Sequence, residues 1–156
     1  MKLIKEFYPW SSAIYANAVK SYKDGRFSIL DVQLSGKCNY GCIYCDSPDR
    51  TFPSLIDFEH LEQLIRKAQN LYDWMFICGL GEPLHTGNRP TLLKLLNICE
   101  STGIKCTIFT NGSNIDEVIL DFVRKEVLYP LIKIDTFNEN LAGVYKLSIR
   151  QLHKAL

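Results

Sequence analysis

Three closely spaced cysteines are the residues of this sequence whose type and spacing best suit chemistry. Cys38, Cys42 and Cys45 stand in the segment Cys-Asn-Tyr-Gly-Cys-Ile-Tyr-Cys. Thiolates are the usual protein ligands of iron–sulfur clusters, and three of them on one short loop can converge on one metal centre. Three ligands leave one iron of a cubane open, and an open coordination position lets a metal centre bind a cofactor or substrate. The spacing therefore predicts a cluster with one exchangeable position.

A structural zinc site is the alternative for the same cysteines. Such a site normally has four nitrogen or sulfur ligands, often as two pairs, and His60 or His85 would have to complete it. The remaining cysteines, Cys78, Cys99 and Cys106, fall in apolar runs, and we expect them to be small buried hydrophobic residues.

Apolar runs and amphipathic segments alternate along the chain and predict the elements that must position these residues. Such alternation implies crossover connections and a parallel sheet in an α/β fold. Right-handed crossovers place the carboxyl ends of all strands on one rim, where α/β folds bind ligands. The pattern predicts strands over 27–34, 74–78, 105–110 and 131–136, and helices over 11–24, 57–72, 90–101, 115–126 and 138–154.

A second segment, Gly79-Leu-Gly-Glu-Pro83, ends the second predicted strand, and with the cysteines it carries a family resemblance. The spacing C-x3-C-x2-C, with the aromatic Tyr44 before the third cysteine, resembles the signature of the radical S-adenosylmethionine (SAM) superfamily. The second segment is similar to the glycine-rich GGEP segment of that family, with Leu80 in place of a glycine. The resemblance covers roughly residues 27–137 and implies a partial TIM barrel with about four of its six β/α units.

The resemblance also implies cofactors and a reaction. Cys38, Cys42 and Cys45 would hold a [4Fe–4S] cluster, and SAM would chelate its fourth iron through the amino and carboxylate groups. Reductive cleavage of SAM gives methionine and a 5′-deoxyadenosyl radical, which abstracts hydrogen from a substrate that the motifs do not specify. The implied partner is an electron donor such as flavodoxin or ferredoxin. The subgroup resembled is that of the molybdenum-cofactor and peptide-modifying enzymes.

The second segment supplies candidate SAM contacts. Glu82 can accept a charge-assisted hydrogen bond from the amino group of SAM. Gly79 and Gly81 allow the backbone to approach a ligand closely, and Pro83 sets the direction in which the chain leaves. The alternative for this segment is a tight strand-to-helix turn with a solvated glutamate.

Further candidates follow from their positions at strand ends. Asn111, in Thr-Asn-Gly, resembles a family turn after the third strand and would orient SAM or the substrate, although Asn-Gly is also a good turn dipeptide. Asp135 can accept from ribose hydroxyls, or it caps the next helix. Tyr44 packs near the adenine or shields the cluster. His85 lies just past Pro83 and is a further candidate for contact with a substrate.

Composition and charge point to an ordinary globular protein. Hydrophobic residues make up 47% and the net charge is +1, so no charge excess indicates nucleic acid or an anionic membrane as a partner. No run of apolar residues is long enough to span a membrane, and residues 1–10 do not resemble a secretory signal. We therefore expect a cytoplasmic protein whose six cysteines are reduced.

The expected organisation is an N-terminal extension with a short helix over 1–26, followed by a truncated radical SAM core over 27–156. Since about two β/α units of the family barrel are absent, the chain would be a fragment or a truncated reading frame. A non-catalytic iron–sulfur module, which keeps the cluster but does not seat SAM, is then an alternative to the enzyme.

Overall fold

A computed structural model describes residues 20, 23–25, 29–42, 44–45 and 57–133 of the chain. Four strands form one sheet in the order β1-β2-β3-β4, and every neighbouring pair is parallel. A helix follows each of the first three strands, as the alternation of the sequence predicts. The elements are β1 (Ile29–Val32), α1 (Phe58–Lys67), β2 (Trp74–Ile77), α2 (Arg89–Thr102), β3 (Lys105–Thr110), α3 (Glu117–Arg124) and β4 (Leu128–Ile132).

Local signals explain where the helices begin and end. Asp57 caps α1 by accepting the backbone N–H of Glu59 at 3.0 Å, and Asp116 caps α3 by accepting that of Ile119 at 3.1 Å. Each cap satisfies a backbone donor that the helix itself leaves unpaired. Gly103 ends α2 in the left-handed conformation, with φ of 75°.

The helices cover one face of the sheet and form the core with it. Met75 and Ile77 of β2 lie beside Cys106 and Ile108 of β3, and all four are almost completely buried. The opposite face carries aromatic rings: those of Trp74 and Tyr129 lie 5.2 Å apart, and those of Phe76 and Phe109 6.4 Å apart. The helical residues of the core include Ile65, Leu92, Leu95, Leu96, Ile98, Cys99, Ile119 and Phe122.

The predicted bounds of the fourth strand were wrong at both ends. β4 begins at Leu128, not at residue 131, and includes Pro130 opposite Ile108. Proline has no backbone N–H to donate, and it is tolerated where a strand lies at the edge of a sheet, as β4 does among the described strands. The strand ends at Ile132, so Lys133 follows it instead of lying within it.

Two predicted helices concern mostly undescribed residues. The helix over 138–154 lies outside the described residues, as does most of the helix over 11–24. Within the latter, the backbone N–H of Asp24 donates to the carbonyl of Lys20 at 3.0 Å. In the part of the chain that the structure describes, no helix is long and apolar enough to cross a bilayer.

Candidate active site

Three loops at the carboxyl ends of β1, β2 and β3 meet around one pocket. Because the strands are parallel, these loops lie on the same rim of the sheet. The pocket has a volume of about 390 Å³, which is within the usual range for a small-molecule site. Its lining consists of Cys38, Tyr40, Cys42, Tyr44, Cys45, Gly79, Gly81, Glu82, Phe109, Thr110, Asn111, Leu131, Ile132 and Lys133.

The three cysteines of the sequence motif all line this pocket. Cys38, Cys42 and Cys45 are all partly exposed. The loop is held locally, because the backbone N–H of Tyr40 donates to Cys38 Sγ at 3.3 Å and that of Cys45 to the carbonyl of Cys42 at 3.0 Å. Thiols that are partly exposed and share one cavity suit a metal centre whose remaining face is open to a ligand.

Burial raises the pKa of the Cys38 thiol above its ordinary value of 9.0. The N–H of Tyr40 opposes this shift, and the charges of Glu82 and the other two cysteines add to it. Because a thiol must lose its proton to bind a metal, a metal ion that bound at Cys38 would displace a proton at neutral pH.

The histidines that would complete a zinc site lie elsewhere. His60 pairs with Asp57 at 2.6 Å on an exposed helical turn, and His85 Nδ1 accepts the backbone N–H of Gly87 at 3.0 Å. Neither histidine lines the pocket. Within the described ranges, no three side chains of His, Cys, Asp or Glu could hold a single metal ion. The two histidines that the zinc alternative required therefore lie outside the pocket that the three cysteines line.

Glu82 is buried and receives three hydrogen bonds from the protein. Its Oε1 accepts the N–H of Leu84 at 2.9 Å and the hydroxyl of Thr110 at 2.5 Å. Its Oε2 accepts the N–H of Asn111 at 2.7 Å. Since a carboxylate oxygen can accept two hydrogen bonds, Oε2 retains room for a donor from the pocket. Glu82 is thus not a solvated glutamate, which was the alternative for this segment.

The two glycines before Glu82 line the pocket, and Gly81 also makes room for a neighbouring loop. Gly79 and Gly81 have φ of 104° and 90°, a region that disfavours other residues. A Cβ on Gly81 would lie 2.6 Å from the carbonyl oxygen of Ser35 and 2.8 Å from the carbonyl carbon of Gly36. Gly81 therefore lets the cysteine loop approach, in addition to lining the pocket.

Asn111 connects the turn after β3 to the cysteine loop. Its Nδ2 donates to Asn39 Oδ1 at 3.0 Å, and its Oδ1 accepts the N–H of Ser113 at 3.0 Å. Asn39 in turn donates to the hydroxyl of Ser113 at 2.7 Å. The amide that was predicted to orient a ligand is thus partly used to hold two loops together.

The other predicted contacts lie in different places. Tyr44 lines the pocket, is 48% exposed, and lies below the ammonium group of Lys133, which is 4.2 Å from the ring centre. Pro83 is buried but lines a smaller neighbouring void instead of the pocket. Asp135 lies outside the described residues.

The remaining cysteines behave mainly as expected. Cys99 and Cys106 are completely buried in the core. Cys78 is only partly buried, and its thiol lies 3.7 Å from a carboxylate oxygen of Asp31. Because Cys78 does not line the main pocket, it can serve as a control for the three cysteines that do.

Sequence reasoning missed two polar residues that hold the site together. Thr110, quoted only as a neighbour of Asn111, donates to Glu82. Asn88 is buried and donates to the carbonyl oxygens of Ser35, Lys37 and Glu82. Asn88 stands just before α2, where asparagine normally indicates a helix cap, so no sequence signal separates the two roles.

Comparison with known families decides the membership of this chain. The model of the radical SAM superfamily matches residues 32–155. The chain belongs to this superfamily. Radical SAM proteins bind a [4Fe–4S] cluster and SAM, so the family and cofactors predicted from the motifs are confirmed at this level.

Curated radical SAM relatives include GTP 3′,8-cyclases from two strains of Rhodopseudomonas palustris. Each is 28% identical to this chain over 115 residues, which is 70% of this chain and 33% of the cyclase. The chain thus spans about a third of the length of these relatives.

Solved radical SAM structures share the fold. Streptococcus suis SuiB bound to S-adenosylmethionine has a TM-score of 0.67 and 23% identity, over 90% of this chain and 34% of SuiB. The enzyme anSMEcpe, solved with AdoMet and a Cp18Cys peptide, has a TM-score of 0.60 and 22% identity, over 82% of this chain and 38% of its own. The predicted α/β fold with a partial TIM barrel is confirmed.

Proposed function

We propose that this radical SAM chain holds a [4Fe–4S] cluster through Cys38, Cys42 and Cys45 and binds SAM in the adjoining pocket. The observation that carries the proposal is the shared lining: all three thiols face the same cavity as Glu82. In sequence the cysteines and Glu82 are separated by a strand and a helix, and the parallel sheet brings them together.

The residues of the pocket fit both cofactors. Three partly exposed thiols leave one side of a cubane for a non-protein ligand. The second acceptor site of Glu82 Oε2 suits the cationic amino group of SAM, because a charge-assisted bond between these groups is short and strong. The hydroxyl of Thr110 and the backbone N–H of Asn111 hold the Glu82 carboxylate in its orientation, and both hydrogen bonds would break if the carboxylate rotated.

When bound, the reduced cluster and SAM together supply the 5′-deoxyadenosyl radical that abstracts a hydrogen atom from a substrate. The protein orients the cofactors and limits water around them. Phe109, Leu131 and Ile132 give the pocket an apolar side, which lowers the local polarity near the thiols. The proposed source of the electron is a reduced flavodoxin or ferredoxin.

Anaerobic reconstitution with iron and sulfide tests the proposal. We expect about four iron atoms per chain, as in a [4Fe–4S] cluster. Adding SAM to the dithionite-reduced protein should change the electron paramagnetic resonance (EPR) spectrum of the cluster. Formation of 5′-deoxyadenosine, measured by chromatography with dithionite and then with reduced flavodoxin, tests the enzymatic step and the electron donor.

Cys38→Ala and Cys78→Ala form a matched pair for this experiment, because Cys38 lines the pocket and Cys78 does not. Cys38→Ala should lose most of the iron, and Cys78→Ala should retain it. Equal iron content in both variants would contradict the ligand assignment. A cluster whose spectrum ignores SAM would instead favour a non-catalytic iron–sulfur module, and a colourless protein with one zinc would favour a structural metal site.

A further inference from the structure

Asn88 occupies a capping position without capping its helix. It precedes α2, and its backbone has φ of −98° and ψ of −27°. An asparagine there normally accepts a hydrogen bond from a backbone N–H of the first helical turn. In this chain its side chain makes no such bond, although the residue is only 3% exposed. The buried amide must therefore be satisfied elsewhere.

The amide of Asn88 faces the loops that form the proposed SAM site. Its Nδ2 lies 2.9 Å from the carbonyl oxygen of Glu82, 3.1 Å from that of Ser35 and 3.3 Å from that of Lys37. Its Oδ1 accepts the hydroxyl of Ser35. Because carbonyl oxygens only accept hydrogen bonds, the NH2 group of the amide must face these three oxygens. These partners therefore determine the orientation of the amide.

Lys37, which directly precedes Cys38, contacts the turn before α2 with both its backbone carbonyl and its side chain. Its carbonyl oxygen accepts the N–H of Glu82 at 2.9 Å as well as Nδ2 of Asn88. Its side chain lies across Gly87, where a Cβ would come within 2.6 Å of Lys37 Cδ. The turn before α2 thus contacts the backbone and the side chain of the residue next to the first cysteine.

We propose that Asn88 is a positioning residue that sets the distance between Cys38 and Glu82. This inference rests on the proposed function, in which SAM must reach the open iron and Glu82 Oε2 at once. Asn88 is the described side chain that bonds directly to both the cysteine loop and the glutamate loop. It acts through the two loops, and it does not line the pocket itself.

Asn88→Ala and Asn88→Asp test this role in the reconstituted full chain. Alanine removes the donor, and aspartate keeps the shape but places acceptor oxygens against three carbonyl groups. We expect SAM affinity, measured by equilibrium dialysis, to fall on the order of 10-fold, as for other residues that orient metal ligands. The EPR change on adding SAM should also differ from that of the wild type.

Asn114→Ala is the matched control. Its Nδ2 likewise donates to a backbone carbonyl of the same segment, that of Leu84 at 3.1 Å, and Asn114 does not line the pocket. If the loss of such an amide only destabilises the fold, both alanine variants will have a lower melting temperature than the wild type. The two folded variants will then bind SAM with the same affinity. Equal SAM affinity and equal EPR spectra in Asn88→Ala and Asn114→Ala would overturn the proposal.

A measurement on the protein without iron separates this inference from the proposed function. If Asn88 holds the cysteine loop, Asn88→Ala should speed alkylation of Cys38 several-fold and leave that of Cys78 unchanged. An unchanged Cys38 rate would overturn the proposal even where the wild type takes up no cluster. Should neither Asn88 variant fold, Ser35→Ala removes one partner of the amide, and we expect a roughly threefold loss of SAM affinity. An unaltered affinity there would count against the role.

Discussion

Two regions around the pocket differ in how firmly they are held. The first, here called the buried joint, consists of Ser35, Gly81, Glu82, Asn88 and Thr110, whose four polar side chains are almost completely buried. Each of these side chains bonds to another loop. A fully satisfied buried network permits one arrangement, because any departure leaves a polar group unpaired.

The second region, here called the outer lip, consists of Tyr44, Phe109 and Lys133. Tyr44 and Phe109 are each nearly half exposed, and the ammonium of Lys133 lies over the Tyr44 ring. Exposed cation–π contacts contribute little, about 0.5–1 kcal/mol. The comparison indicates that the buried joint sets the geometry of the site and that the outer lip can adjust to an entering ligand.

The largest effect in the buried joint is expected for Gly81→Ala. The new Cβ would lie 2.6 Å from the carbonyl oxygen of Ser35, and φ is 90°. Strain and overlap should lower the free energy of unfolding by roughly 3 kcal/mol, measured by urea denaturation. Gly103→Ala has a similar φ of 75° but no atom within 4 Å of its Cβ, so it should lose only about 1 kcal/mol. Equal losses would show that Gly81 is not packed against the cysteine loop.

Glu82→Gln should have the next largest effect. The amide NH2 would face one of three backbone or hydroxyl donors in a buried position. We expect the free energy of unfolding to fall by about 2 kcal/mol, since hydrogen bonds to charged groups are worth about 1.5–3 kcal/mol. The exposed Glu117, paired with Arg124 at 2.9 Å, is the control, and Glu117→Gln should change stability by less than about 0.5 kcal/mol. Similar losses would remove the distinction between buried and exposed carboxylates.

Lys133→Met probes the outer lip. Loss of the contact with Tyr44 should lower the free energy of unfolding by about 0.5 kcal/mol, measured by thermal denaturation. Lys94, whose ammonium lies 4.8 Å from the centre of the Phe58 ring and away from the pocket, is the control. Lys94→Met should cost about as much stability, but only Lys133→Met should alter SAM affinity. A loss above about 2 kcal/mol at Lys133 would place the lip among the rigid parts of the site.

An effect as small as that at Lys133 is expected for the partly exposed pair of Arg89 and Asp116, beside the buried joint. Hydrogen bonding to Arg89, at 2.6 and 2.7 Å, lowers the pKa of Asp116 below its ordinary value of 3.8. A lowered pKa in the folded state stabilises the protein above pH 3.8, and this contribution is lost as the pH falls through the folded value.

Asp116→Asn should therefore reduce the free energy of unfolding at pH 7 by about 0.5 kcal/mol, a small figure because half of the side chain is exposed. Asparagine also caps helices well, so the change isolates the charge. Urea denaturation at a series of pH values should show the difference from wild type shrinking below pH 3.8. A difference that persists at low pH would mean that the cap, and not the ion pair, is responsible.

Much of the fold could be predicted from local sequence patterns, and the error in the predicted bounds of β4 also has a local cause. The alternation of apolar runs with amphipathic segments predicted the four parallel strands, and the helix predicted over 90–101 matches α2 to within one residue at each end. The bounds of β4 were missed, because Pro130 interrupts the run in sequence but is compatible with a strand at the sheet edge.

The sequence by itself determined the family, the class of cofactor and the set of thiols that face the pocket. All three depend on residue types that are close together in the sequence, and this spacing is the same whatever the packing of the folded chain. Cys38, Cys42 and Cys45 are close in the chain, so any compact loop keeps them near one another.

Only the tertiary structure decided which polar groups hold the site together. Asn88 and Ser35 are 53 residues apart, and their bond exists because β1 and β2 pair in one register. For the same reason Glu82 meets Thr110, which is 28 residues away. The partners of a buried polar side chain are set by the packing of distant segments, and short-range sequence patterns carry no record of it.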